Sequence, residues 1–324
     1  MRPQPSHRAA AWGFALFLGL FAACESAGPD VPPAGTITWR SEGSGSIEPP
    51  AADASCVRYG AAVSRGRLPA AVAESSGLCD SAFDSNRLWT HNDSGGTPTI
   101  FAVARTGELL STVTIEGADP DDWEDIARGP CGPTDAGRRC LYISNTGNNG
   151  LDRNTVEIFR IIEPETLQPT MTIRRLETMK LRYPTGAMDA EAMLVDDSGR
   201  VVLFSKEEGR TRLFVAPYST VGTVDLTLVA EGTLADPSTD EPEKVTAADY
   251  DALRRSLVIR TYRNGYEVRL PEGLQVESIA RLPVQHIALA DEKQGEALAY
   301  VGDGLVSTSE GAGSRLSFYD CIAE

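Results

Sequence analysis

Three glutamates sit in near-copies of one short segment: "EDI" at 124–126, "EAM" at 191–193 and "EAL" at 296–298. Asp93 lies in "HNDSGG" and Asn145 in "SNTGNN", at the ends of segments that also repeat. Carboxylate and amide oxygens are hard ligands. Brought to one point they suit Ca²⁺, which takes about six to eight oxygens in loose geometry. The expected metal ligands are therefore Glu124, Glu191, Glu296, Asp93 and Asn145. A hydrolytic role would use Glu124, Glu191 or His91 as general base. Against that, a lone histidine at a strand end is ordinarily structural. Like charges held face to face repel, which raises their pKa values or recruits counter-ions. Lys206, Arg260 and Arg263 come from neighbouring segments and are the candidate internal counter-charges.

These residues act together only if the fold gathers them, and the chain repeats in a way that does so. "SGL" (76–78), "EDI", "EAM", "TAA" (246–248) and "EAL" are each followed, after a turn, by a second apolar segment. Those segments are "LWTHND", "LYISNT", "VLFSKE", "LVIRTY" and "LVSTSE". A third strand follows every time, and a fourth closes the first four units. The middle residues of the first segments, Gly77, Asp125, Ala192, Ala247 and Ala297, step by 48, 67, 55 and 50 residues. Four short strands per unit, rich in Val, Ile, Leu, Phe and Tyr and punctuated by Gly, Asn, Asp and Pro, spell a β-propeller blade. The expected fold is all-β, a single propeller with five countable four-stranded blades; a sixth built from less regular pieces stays open. The last unit runs out of chain after three strands, so "CVRYGAAVSRGRL" (56–68) is expected to supply its outer strand.

In such a propeller the first strands line the central channel. The starts of the first strands and the ends of the second strands then share one mouth. That brings Ser76, Glu124, Glu191, Thr246 and Glu296 together, with Asp93, Glu207, Glu310, Asn92, Asn145, Asn148 and Asn149 around them. "DPDD" (119–122) reads as a solvated turn, and Trp89 and Trp123 as packing between blades.

Before the repeats lies a basic head (Arg2, His7, Arg8) and an apolar run from Ala9 to Ala23, too short to span a bilayer comfortably. It ends "GLFAAC", which resembles a bacterial lipobox with Cys24 as the lipidated residue; ordinary cleavage after "FAA" or "AAC" is the alternative. Glu25 after Cys24 favours the outer membrane of the cell envelope. The expected organisation is a signal peptide over 1–23, a lipidated cysteine and flexible tether over 24–55, and the propeller over 56–324. The tether is rich in Gly, Pro, Ser and Ala, with "TITW" (36–39) as a stray strand. Export permits disulfides. Cys131 and Cys140 bracket "GPTDAGRR" and are expected to pair; Cys56 and Cys321 would tie the chain ends, leaving Cys79 free. With a net charge of −16 the chain repels nucleic acid.

"ESSGL", "LWTHNDSGG", "IFAVARTG", "DWEDIA" and "FRIIEPE" resemble the bacterial propellers grouped as phytase-like or esterase-like domains. The likeness is carried mainly by residues 74–210. It implies an exported or lipid-anchored protein, and by analogy with phytase propellers several Ca²⁺ ions beside a basic phosphate cleft. Two departures matter. Asn145 and Asn148 stand where related sequences tend to carry Asp, and only Lys206, Arg260 and Arg263 could furnish the cleft. No G-x-S-x-G elbow occurs, which argues against a serine hydrolase. The first functional reading is a surface lipoprotein whose acidic channel mouth binds a cation, a small ligand or an envelope partner. The second is a Ca²⁺-dependent hydrolase of phosphate esters or lactones, and the third an architectural module.

Overall fold

The computed structural model describes residues 35–39, 56, 58–132, 135–174 and 176–322. The signal segment, Cys24 and the tether outside 35–39 lie beyond the described residues. Five antiparallel sheets of four strands follow one another along the chain. From the inside outward, blade 1 is Ser75–Asp80, Arg87–Asn92, Thr99–Ala104 and Leu109–Ile115. Blade 2 is Asp125–Pro130, Arg139–Asn145, Thr155–Ile162 and Glu177–Arg182. Blade 3 is Ala190–Val195, Val201–Ser205, Thr211–Ala216 and Thr227–Ala235. Blade 4 is Val245–Asp251, Ser256–Thr261, Asn264–Arg269 and Val284–Ala288. Blade 5 is Gly295–Val301, Gly304–Ser309, Arg315–Tyr319 and, from the other end of the chain, Val63–Arg67. The protein is a five-bladed β-propeller, and a sixth blade is absent among the described residues.

Burial follows position. The inner strand "AEAMLV" of blade 3 is buried on both faces, whereas the outer strand of blade 1 alternates buried and half-buried residues. A strand covered on two sides reads as a continuous apolar run, and one covered on one side alternates. The core is correspondingly divided into five clusters, one in each wedge between adjacent blades. Trp89 and Trp123 fill the wedge between blades 1 and 2, at 0% and 1% exposure, as interblade packing requires.

Closure uses the segment expected to supply it. Val63 faces Phe318 and Arg67 faces Arg315 in antiparallel register, and Tyr59 pairs with Cys321 in a short two-stranded ribbon. Tyr59 also donates its hydroxyl to Glu267 of blade 4 at 2.9 Å, fastening the entry segment to a second blade. Cys131–Cys140 is a disulfide. The expected Cys56–Cys321 bond is not formed. Both are free thiols: Cys56 lies three residues ahead of the Tyr59–Cys321 pair and donates to the Arg58 carbonyl at 2.9 Å. Its side chain touches Cys321, and burial pushes its pKa up to about 12, so it stays protonated. Cys79 is free and buried.

Three blades carry a fifth strand, each added in parallel to the outer edge. Thr170–Ile173 lies on blade 1, Thr223–Asp225 on blade 2, and Gly35–Trp39 on blade 3. "TITW" is thus part of a sheet, with Trp39 opposite Leu234. Among the described residues no helix is long and apolar enough to cross a membrane.

Candidate metal centre at the channel mouth

Four of the five inner strands begin with a local irregularity at the column position. The register with the second strand slips between Ala190 and Ala192, between Val245 and Ala247, and between Gly295 and Ala297. Glu191, Thr246 and Glu296 are therefore the extra residues of β-bulges, which bend the strand and re-aim a side chain. Blade 1 slips over Ser75–Leu78, while in blade 2 Glu124 immediately precedes the strand and donates its N–H to Ser144. A repeated distortion thus marks the column residues of four blades, and in blade 2 the column residue lies just ahead of the strand.

Glu124 lies at the centre of the arrangement. Oxygens of Asp93, Asp122 and Glu124 lie within 4.8 Å of one another, and so do oxygens of Glu124, Asp189 and Glu191. Two carboxylate triads therefore share one residue. Glu124 and Glu191 are each 3% exposed. Asp122 and Asp189 stand two residues before Glu124 and Glu191, and each brings a second carboxylate of its blade to the mouth. The polar loop "SNTGNN" serves as their scaffold. The Asn145 side-chain oxygen accepts the Asp122 N–H at 3.0 Å, and the Asn148 N–H donates to Asp189 at 2.8 Å. Gly147 packs against both acids, since a Cβ would overlap the Glu124 carboxylate and stand 2.5 Å from the Asp122 carboxyl carbon, forcing both side chains to shift.

Sequence reasoning placed Glu124, Glu191 and Asp93 in the cluster, and they are there. Glu296 is buried beside it, close enough to raise the pKa of Asp93, Glu191 and Glu310, but lies outside both triads. Asn145 supports Asp122 from behind through its oxygen, so it positions a carboxylate. Asp122 corrects the reading of "DPDD" as a solvated turn: Asp119 and Asp121 are exposed, but Asp122 faces the cluster. Glu207 turns back to Ser205 and Arg210 on its own hairpin. His91 is wholly buried, with Nδ1 3.0 Å from the Asn92 carbonyl and its ring edge-on to Trp123. Burial drives its pKa down to about 4, so it is a neutral packing residue away from the carboxylates. Arg260, expected at the rim, is 0% exposed; it pairs with Glu292 at 2.5 Å and donates to Ala297 and Thr308 carbonyls. Arg263 is exposed.

The missed residues had a signal. Asp122-Trp123-Glu124 and Asp189-Ala190-Glu191 share the pattern D-x-E at equivalent places in blades 2 and 3. In both blades that spacing brings two carboxylates to the mouth, where the inner strand begins.

The electrostatics are those of acids with too few partners. Burial raises Asp122 and Asp189, and raises Glu124 well above its usual range with Glu191 and Asp93 adding to the effect. Asp93 is pushed up to about 7 by burial, then by Asp122 and Glu296. Glu191 and Glu310 reach about 8, again chiefly through burial. Lys206 lies within the cluster: it ion-pairs with Glu191 and lies 5.3 Å from the centre of the Tyr262 ring. Arg153 approaches from the rim, 2.6 Å from Asp121 and 4.0 Å from Asp122. One carboxylate oxygen, Asp93 Oδ1, is buried without a hydrogen-bond partner. The donor set is hard oxygen throughout, and a Cβ at residue 147 would crowd it. These features fit a divalent cation such as Ca²⁺.

Beneath the mouth Asp125 crosses the channel. Its carboxylate accepts N–H groups from Ile126, Met193 and Ala248 at 2.8, 2.9 and 3.2 Å, tying the inner strands of blades 2, 3 and 4. Asp249 does the same between blades 4 and 5, through Tyr250 and Tyr300 at 2.8 Å each. The acidic mouth is therefore rooted in a rigid axis.

No known family profile matches the chain, and no curated protein matches it. Similar solved structures include the WD40 repeats of RRP9, at a TM-score of 0.40 and 13% identity, covering 76% of this chain and 79% of that one. U3-55K is similar at 0.39 and 13%, covering 75% and 80%. Virginiamycin B lyase from Staphylococcus aureus is similar at 0.38 and 10%, covering 76% and 66%. Likeness at this level says nothing about activity or ligand.

Proposed function

We propose that this protein is an envelope lipoprotein whose propeller holds a divalent cation, Ca²⁺ by donor chemistry, at the acidic channel mouth. The cation then serves as a docking point for a small ligand or an envelope partner. The observation that carries the reading is the pair of carboxylate triads sharing Glu124, one of which includes Asp93, whose Oδ1 is buried without a hydrogen-bond partner. Five acids facing Lys206 and Arg153 leave an excess of negative charge that protons or a cation must offset. The ligands would be Asp93, Asp122, Glu124, Asp189 and Glu191. The envelope location rests on the basic head, apolar run and "GLFAAC" of residues 1–24. Mass analysis of the mature N-terminus tests it: a diacylglyceryl-modified Cys24 supports lipidation, and an unmodified residue after cleavage refutes it.

Binding is favoured over hydrolysis of phosphate esters or lactones for a specific reason. Arg260 is buried and committed to Glu292, and Lys206 to Glu191. The other cations that act on the cluster are also paired, Arg153 with Asp121 and Lys244 with Glu208. Thermal unfolding with Ca²⁺ and with chelator, alongside turnover assays on phosphate monoesters and lactones, separates the two. Stabilisation by Ca²⁺ without turnover supports binding; chelator-sensitive turnover lost in Glu124→Gln would establish the hydrolase instead.

A further inference from the structure

The inner strands of the five blades end, as well as begin, around one opening. Asp80, Pro130, Val195 and Asp251 are the last residues of four of them, and all four line a cavity of about 570 Å³ at this second mouth. Gly302, just past the inner strand of blade 5, completes the ring. Asp125, bonded to the inner strands of three blades, lies between this cavity and the acidic mouth. Pockets that enclose a small ligand measure about 300–1,000 Å³.

Five aspartates line the cavity, but three of them are committed to turns or to an arginine. Asp196 accepts the N–H groups of Ser198 and Arg200 and pairs with the Arg200 side chain. Asp251 accepts those of Leu253 and Arg254 and pairs with Arg254, while Asp197 pairs with Arg255. That leaves Asp80, Arg128 and Asp249, from the inner strands of blades 1, 2 and 4. Arg128 pairs with Asp80 at 3.0 Å, which engages few of the five donors of a guanidinium. Asp249 is 7% exposed, and each of its oxygens accepts one backbone N–H, from Tyr250 and from Tyr300. Each oxygen therefore keeps a lone pair. Burial, then Asp80, raises Asp249 to about 7, so near neutral pH the Arg128 charge faces little more than one negative charge.

We propose that this second mouth binds a neutral, hydroxyl-rich molecule, a monosaccharide or disaccharide. A hydroxyl both donates and accepts, so adjacent ring hydroxyls can give to Asp249 while taking from Arg128. A ligand cation would meet Arg128, and an anion Asp80 and Asp249, so either would bury like charges together. Leu253, 98% exposed, and Ala252 stand on the rim, and with Val195 they offer apolar surface to the C–H face of a sugar ring. The proposal is independent of the cation site.

Saturation-transfer NMR on the full chain tests it, in chelator and at mildly acidic pH. The probes are glucose, galactose, N-acetylglucosamine and maltose, with glucosamine and glucuronate as charged counterparts. At least one neutral sugar should show transfer to its ring protons, and the charged sugars should bind roughly tenfold more weakly or worse. Ala252→Trp, at an exposed rim position, should abolish the transfer while leaving the melting temperature unchanged. Arg128→Gln, which removes most of the donors, should weaken binding roughly tenfold. Transfer to none of the neutral sugars would overturn the proposal. So would tighter binding of a charged sugar, or transfer that survives intact in Ala252→Trp, which would put the sugar elsewhere.

Discussion

Glu124 and Glu191 stand 67 residues apart in the chain, on different blades, yet their carboxylate oxygens lie within 4.8 Å of each other at the channel mouth. Both are 3% exposed and both are raised by burial, so neither is at ease as an anion without a counter-charge.

Stability without cation should therefore fall as pH rises. A carboxyl whose folded pKa lies above its unfolded value lends stability that is complete below about pH 4 and lost as pH passes through the folded value. With Asp93 near 7 and Glu191 and Glu310 near 8, the loss falls between about pH 5 and 8. Melting in chelator across that range should show a declining temperature. Ca²⁺ should offset the decline, with a larger shift at pH 8 than at pH 5.5, because protons compete for the same oxygens.

Glu124→Gln removes the residue both triads share. At pH 8 in chelator it should melt slightly higher than the wild type, since one buried charge is gone. Added Ca²⁺ should no longer stabilise it. In the wild type an ion at 100 times its Kd contributes about 2.7 kcal/mol, several degrees in Tm. Parallel thermal scans of the two proteins decide the point.

Gly147→Ala tests the cradle. Its Cβ meets Glu124 and Asp122, so the variant should lose about 1–3 kcal/mol of stability from overpacking and bind Ca²⁺ weakly by calorimetry. Unchanged affinity would mean that the ion, if bound, lies elsewhere.

Lys206→Met removes the internal competitor for Glu191. Calcium affinity at pH 8 should rise, by roughly tenfold for each ~1.4 kcal/mol of attraction the ammonium had supplied. Titration calorimetry measures it directly.

Arg260→Met strands Glu292 in a buried site and should cost about 3–5 kcal/mol in urea unfolding. Calcium binding should be unaffected, because Arg260 is wholly buried and engages Glu292 and backbone carbonyls, none of them in the triads.

The architecture was largely legible because a blade imposes its period on the sequence. Apolar strands of matched length, divided by Gly, Asn and Asp turns, gave five units and the closing segment 56–68. The column of Glu124, Glu191 and Glu296 was legible for the same reason. Side-chain direction at its edge was not. Asp122 follows Pro120 in an acidic run that resembles a turn, and only the D-x-E match with Asp189 marks it as inward-facing. Arg260 lies beside the bulge at Thr246, and Gly295 leaves room for its guanidinium; a Cβ there would collide with it. That a cation goes inward to Glu292 is a matter of tertiary packing, invisible in local pattern. The Cys56–Cys321 bond was inferred from proximity at the closure, whereas the thiols, though adjacent, are unbonded here.

The most direct test is diffraction from crystals grown with calcium and measured at long wavelength. The account predicts an anomalous peak about 2.3–2.6 Å from a Glu124 oxygen and from oxygens of Asp93 and Asp122, or of Asp189 and Glu191. A well-ordered mouth with Glu124 protonated against its neighbours and no peak at saturating calcium would contradict it.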